Sequence, residues 1–140
     1  MKGRILVVVL VVVAGLAVFL NGSLAQGPAA PALAAASLFA EVNSGDLDAA
    51  LELFAEDAVA TDRVRGRTYE GAGEIQKMLA GMHRDGRRLD MVKLEEAGSQ
   101  LRVTAEISDD GLVWGTEWMT IELNNGKIQS YELTAIRLRF

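Results

Sequence analysis

Cysteine is absent from this 140-residue chain, which excludes a disulfide framework, a thiolate metal site and a lipid-anchored cysteine behind a leader. The single histidine, His83, excludes any site that needs two imidazoles from one chain. Asp and Glu are not spaced as metal ligands, so no metal is expected. No phosphate loop is present either, since Gly71 and Gly73 lack the Lys and Ser/Thr that would follow. No cofactor is expected. Positive charge is scarce, with 14 Lys and Arg against 19 Asp and Glu for a net −5. Without Lys2 and Arg4 of the leader, twelve basic residues face nineteen acidic ones, a net −7. Polyanion binding needs concentrated Lys and Arg, so nucleic acid is excluded as a partner.

What the chain has in excess is apolar residues, half of the total, and much of that excess is local. Met1–Ala25 reads as a secretory signal: Lys2 and Arg4 form a basic start, Ile5–Leu20 an apolar run, and Ser23-Leu24-Ala25 a small-x-small cleavage pattern. The competing reading is an uncleaved anchor, although the run is short of the ~20 residues that span a bilayer. Both deliver the domain outside the cytoplasm, secreted or periplasmic in the first case and membrane-anchored in the second. After cleavage no membrane contact is expected. Residues 26–31 are a Pro/Gly/Ala linker, and residues 32–140 suffice for one domain.

The domain opens with helical periodicity. Leu33, Ala36, Leu38, Phe39 and Val42 recur at helical spacing behind Pro31, and Asn43-Ser44-Gly45 ends that helix. Asp46 is placed to cap a second helix whose apolar stripe is Leu47, Ala50, Leu51 and Phe54, with Asp48, Glu52 and Glu56 outside. Ala58–Thr61 alternates like a strand that delivers Asp62. Arg63–Arg67 is a basic turn around Gly66, whose Arg63, Arg65 and Arg67 read either as a solvated turn or as a clamp for an anionic ligand at a pocket mouth, and Thr68–Glu70 returns beside the strand. A third helix follows Gly71 and Gly73, with Ile75, Met78, Leu79 and Met82 on its apolar face. From Leu89 onward the pattern is a meander of strands, broken at Gly98-Ser99, Asp109-Asp110-Gly111 and Asn125-Gly126.

This order, with Asn43, Gly45-Asp46-Leu47-Asp48, Leu53-Phe54-Ala55-Glu56-Asp57-Ala58, Gly71 and Ile75, resembles the nuclear transport factor 2-like superfamily, and within it the SnoaL-like branch related to ketosteroid isomerases and polyketide cyclases. The resemblance covers Ala32–Phe140. It implies an α+β fold in which a cone-shaped, strongly curved antiparallel sheet wraps about three N-terminal helices around an internal pocket. It also implies homodimerisation through the sheet. Such a fold hosts enzymes and non-enzymatic binders, so activity has to be argued from the site.

Asp62 falls where the resemblance to ketosteroid isomerases implies a general base. The bland alternative is a turn residue that satisfies backbone N–H groups ahead of Arg63. The oxyanion partners of those isomerases, a Tyr on the first helix and a carboxylic acid on a later strand, correspond here to Leu38 and the neighbourhood of Met119. Two of three working parts are missing, which rules out a conventional ketosteroid isomerase.

Pairing the strands through a three-residue Asp109–Gly111 loop sets Glu106 against Trp114, Thr104 against Thr116 and Arg102 against Trp118. A two-residue Asn125-Gly126 turn sets Trp118 against Leu133, Met119 against Glu132 and Glu117 against Thr134. Alternation then gives a core face of Leu101, Val103, Ala105, Ile107, Val113, Met119, Ile121, Ile128 and Ile136, interrupted by Glu117 and Glu132. Two carboxylates on a core face mark either a polar end to the pocket or a wet rim where an Arg pairs them. The opposite face carries Arg102, Thr104, Glu106, Trp114, Thr116, Trp118, Tyr131 and Leu133. Its aromatics and Arg make Arg102, Trp114, Trp118 and Tyr131 the dimer-interface candidates, or alternatively a second ligand surface.

The candidates for chemistry are therefore Asp62, Glu117, Glu132 and His83, the last weighed against a helix C-terminal role. Those for ligand contact are Phe54, Tyr69, Met78, Met82, Val103 and Met119. The leading expectation is an exported SnoaL-like protein that binds a small hydrophobic or carbonyl-bearing molecule. The alternatives are an isomerase, cyclase or lyase that uses Asp62 as base, and an interaction module working through the Trp114/Trp118 face.

Overall fold

The computed structural model of the protein describes residues 6–8, 29–83 and 86–139. The expected leader and linker lie outside these residues, except for 6–8 and 29–31. In chain order the elements are β1 (Leu6–Val8), α1 (Ala29–Ser44), α2 (Leu47–Glu52), β2 (Phe54–Asp62), β3 (Arg67–Glu70), α3 (Gly71–Met82), β4 (Arg87–Ala97), β5 (Gln100–Asp109), β6 (Leu112–Asn124) and β7 (Lys127–Leu138). Six of the strands form a curved sheet in the order β4-β5-β6-β7-β2-β3, and the three residues of β1 add to the β4 edge. The three helices pack on this sheet as an α+β cone, with α1 against β4 and α3 against β2 and β3. The sheet is mixed, because β2 runs parallel to β7 while every other pair is antiparallel. Among the described residues no helix is long and apolar enough to cross a membrane.

Helix α1 buries Ala35, Leu38, Phe39 and Val42, an i, i+3, i+4, i+7 stripe that faces the sheet. Gly45, at φ +80°, ends it in the left-handed region where a side chain is disfavoured. Asp46 then caps α2 by accepting from the Ala49 N–H at 3.1 Å. Asn43 clasps the helix end to the sheet. Its amide donates to Leu89 O and accepts from Leu89 N–H, both at 2.8 Å.

Helix α2 is shorter than its apolar spacing predicts. It stops at Glu52, and Phe54 and Glu56 belong to β2. The last turn finds its partners on β7 rather than in another helical turn: Lys127 Nζ donates to Glu52 O, and Ile128 N–H donates to Leu53 O at 2.8 Å. Phe54 thereby pairs with Ile128, and both side chains are buried.

Among the described residues four β-bulges in the antiparallel pairs, with a further register shift between Phe54 and Val59 on β2, curve the sheet and set its faces. Register shifts between Met91 and Lys93, between Ile107 and Ser108, between Glu122 and Leu123, and between Trp118 and Met119 leave Val92, Trp114, Gln129 and Thr134 without a directly paired partner. A regular strand sends residues three apart to opposite faces; one extra residue between them returns both to the same face. The inward sets accordingly step by three across each bulge, as in Met91 to Leu94, Trp114 to Glu117, Ile128 to Tyr131 and Leu133 to Ile136.

This corrects the simple pairing. The β5–β6 turn has two residues, Asp110 (φ 48°) and Gly111 (φ 85°), and Asp109 pairs with Leu112. Together with the bulge at Trp114, this turn sets Glu106 opposite Thr116, Thr104 opposite Trp118 and Arg102 opposite Thr120. Asn125-Gly126 is the expected two-residue turn, with Asn124 paired to Lys127, but the bulge at Gln129 puts Leu133 opposite Met119, and the second at Thr134 puts Ile136 opposite Glu117. Glu132, expected on the core face, instead points outward and pairs with Arg63 (Nε–Oε1 3.0 Å). Tyr131 and Leu133, expected on the outer face, are buried inside.

Candidate functional site

The concave side of the sheet and α3 enclose a cavity of about 700 Å³. Apolar walls come from Met78 and Met82 on α3 and from Leu89, Ile107, Leu133 and Ile136 on the sheet. Polar groups enter from four directions: Asp62 and Arg65 where β2 turns, Arg67 and Tyr69 on β3, Lys77 on α3, and Arg87, Trp114, Glu117 and Tyr131 on the long strands. The period-2 pattern of β2, with Ala58, Ala60 and Asp62 buried, carries Asp62 to the cavity as the last of an inward series.

Glu117 is the most perturbed acid of the cavity. It is only 7% exposed, and burial pushes its carboxyl up to about 7 from an ordinary 4.5. The Arg87 and Arg65 guanidiniums oppose that rise, and the charge of Asp62 adds to it. Near neutral pH the group is split between acid and base forms, which suits it to give or take a proton.

Asp62 is equally buried but its oxygens are engaged. Oδ1 accepts from the Arg65 backbone N–H at 2.9 Å, and Oδ2 from Arg65 Nη1 at 2.7 Å. Asp62 thus closes the Arg63–Gly66 turn and offsets one guanidinium. Tyr131 is held neutral: burial first, then the charges of Glu117 and Asp62, push its phenol well above 10. Its hydroxyl donates to the Met119 Sδ at 3.3 Å, a weak acceptor. The Arg87 guanidinium sits over the Trp114 ring, 5.2 Å from its centroid.

Of the other residues singled out from sequence, Tyr69, Met78 and Met82 line the cavity. Phe54, Val103 and Met119 are buried in the core without lining it. His83 lies outside the cavity, at the end of α3, with Nδ1 2.8 Å from Val42 O. It joins α3 to α1, so the structure gives it a position between helices rather than beside Glu117. Arg102 and Trp118 lie on the outer face, where they border a shallow groove with Lys93 and Thr104. Trp114 and Tyr131, expected beside them, line the cavity instead. Leu38 is fully buried and, like Met119, brings no donor to the cavity. Among the described residues no group of His, Asp and Glu is placed to hold a metal ion.

Sequence reasoning missed Arg87, Trp114 and Tyr131 as cavity residues. The signal that exposes Trp114 is Asp110-Gly111 read as a two-residue turn, which alone sets Trp114 on the inward face opposite Ile107. That reading turns Glu117 outward unless a bulge is added, and no residue type marks the bulge.

A cone of curved sheet over three helices, with a polar-floored cavity inside, defines a nuclear transport factor 2-like protein. The profile of the SnoaL-like domain matches residues 35–131, and the chain belongs to that family. Solved structures agree with the fold. A protein from Sinorhizobium meliloti described as a polyketide cyclase is 22% identical, with 72% of this chain and 93% of that one aligned at a TM-score of 0.63. One from Kribbella flavida described as a ketosteroid isomerase is 14% identical over 74% and 76% of the two chains, TM-score 0.65. An Agrobacterium tumefaciens protein described as an isomerase of the SnoaL-like family is 20% identical over 76% and 98%, TM-score 0.63. At these identities the similarity speaks for the fold alone. No curated protein matches the chain in sequence.

Proposed function

We propose that the cavity binds a small carbonyl-bearing molecule and that Glu117 exchanges a proton with it. The observation that carries this reading is the pairing of burial and perturbation at Glu117, on the wall of a cavity large enough for a small organic ligand. In its carboxylate form Glu117 removes a proton from the carbon beside the carbonyl. Electrons of that C–H bond pass to the carbonyl oxygen as an enolate, and the Glu117 acid returns the proton to the same or a neighbouring carbon. This is the chemistry of an isomerase or cyclase. Asp62, the base expected from resemblance, serves in this reading to hold Arg65 and to raise Glu117.

The test is deuterium wash-out from α-deuterated cyclohexanone, followed by NMR. Wild-type protein accelerates the exchange, and Glu117→Gln lowers that acceleration by roughly 10²-fold or more. Asp62→Asn, which keeps the size and one acceptor oxygen, has a smaller effect. Equal acceleration by wild type and Glu117→Gln removes Glu117 from the role. Binding without exchange in the wild type leaves a carrier rather than an enzyme.

Two further parts of the reading rest on sequence and placement. The leader composition supports delivery outside the cytoplasm, checked by the N-terminus of the exported protein. The outer face, with Arg102 and a half-buried Trp118, supports a homodimer joined through the sheet.

A further inference from the structure

The cavity differs in charge from the chain that builds it. The protein carries 19 acidic residues against 14 basic ones, yet among the described residues that line the cavity four are cationic, Arg65, Arg67, Lys77 and Arg87, and two, Asp62 and Glu117, are acidic. The Arg65–Asp62 ion pair, at 2.7 Å, cancels one charge of each sign. Arg87 is engaged with the Trp114 ring, which leaves Arg67 and Lys77 as the remaining exposed cations of the lining. Among the described residues the side chains of Arg67 and Lys77 make no hydrogen bond or ion pair.

Position sorts these groups. Arg65, Arg67 and Lys77 are exposed, on the β2–β3 turn, on β3 and on α3, so they stand at the mouth. Asp62, Glu117 and Tyr131 are buried and form the floor. The side walls between them are apolar. Like-charged side chains around a low-dielectric recess focus the field into it, which raises the local concentration of the opposite charge. A guanidinium also holds carboxylate oxygens in a paired geometry that an ammonium does not match.

We infer that the ligand is an organic anion, a small molecule with a carboxylate or comparable acidic oxygen, its charged end held at the mouth by Arg67 and Lys77 and its apolar body against the walls. This rests on the cavity being the ligand site and names the class of molecule that it selects. A cationic ligand would meet Arg67 and Lys77 at the mouth before reaching Glu117.

Matched acids and amides test it. Binding of benzoate and hexanoate is compared with that of benzamide and hexanamide by ligand-observed NMR and by quenching of tryptophan fluorescence, at low and at high sodium chloride. The acids are expected to bind roughly tenfold or more tightly than their amides, and to lose most of that margin in high salt. Arg67→Gln with Lys77→Gln, both exposed and outside the core, is expected to weaken the acids by about tenfold while leaving the amides unchanged. Amides that bind as well as the acids overturn the anion inference and leave the cavity reading standing. So does a double variant that holds the acids undiminished. Failure of all four probes to bind overturns both.

Discussion

Replacing Glu117 by glutamine isolates the cost of a buried charge. Folding holds the Glu117 carboxyl near 7, against 4.5 in an unfolded chain, chiefly through burial. At roughly 1.4 kcal/mol per pH unit, that gap amounts to about 3 kcal/mol of lost stability once both states are ionised. The direction follows from which state binds the proton more tightly. Below the unfolded value of 4.5 both states are protonated and the penalty is absent. As pH rises from 4.5 to about 7 the native state keeps a proton that the unfolded chain has released, so stability falls. Above that range the penalty is complete and constant. Glutamine has nearly the same volume, stays neutral throughout and carries none of it. The difference in unfolding free energy between Glu117→Gln and wild type is therefore expected to shift in favour of the variant by up to about 3 kcal/mol between about pH 4.5 and pH 8. Urea unfolding followed by tryptophan fluorescence, at four pH values across this range, measures it directly. Parallel stability profiles for the two proteins would refute the reasoning, since they would mean that Glu117 ionises in the fold as it does in water.

The remaining predictions concern its neighbours and the frame. Arg65→Gln removes a cation that opposes the rise at Glu117, so the carboxyl should move further upward in a ¹³C NMR titration. The stability cost should stay near 1 kcal/mol because Arg65 is half exposed. Asn43→Ala breaks both 2.8 Å hydrogen bonds to Leu89 and leaves a backbone donor and acceptor of β4 unpaired. Urea unfolding should show a loss of about 2 kcal/mol, and a loss under half of that would mean that water replaces the clasp. On the outer face, Trp118→Glu should dissociate the proposed dimer in sedimentation equilibrium without changing the far-UV spectrum. An unchanged oligomeric state would place the interface elsewhere.

Much of the frame is readable along the chain because it is local. The α1 stripe through Leu38, Phe39 and Val42, the Gly45 break, the Asp46 cap and the Asn125-Gly126 turn each depend on residues within one or two turns of each other. The same holds for Ile75, Met78 and Leu79 on α3. Where apolar spacing misled, at Phe54, the competitor was distant: a strand more than seventy residues later supplied Ile128 N–H to the carbonyl that would have continued the helix. Glu117 was legible as a carboxyl on the core face, while Glu132 looked identical in pattern and proved to be a surface ion pair with Arg63.

Sequence alone determined the order of the elements, the turns between them, the family's packing residues and the absence of cysteine chemistry, because periodicity and turn preference act over a few residues. Only the tertiary structure decided which side chains share the cavity. That choice is made by four bulges, and each reverses the faces of a strand by one residue that no local preference announces. It also decided that Asp62 is tied to Arg65 while Glu117 is left among apolar walls. The free energy of a charge depends on the dielectric and the partners around it, and those are assembled from strands far apart in the chain.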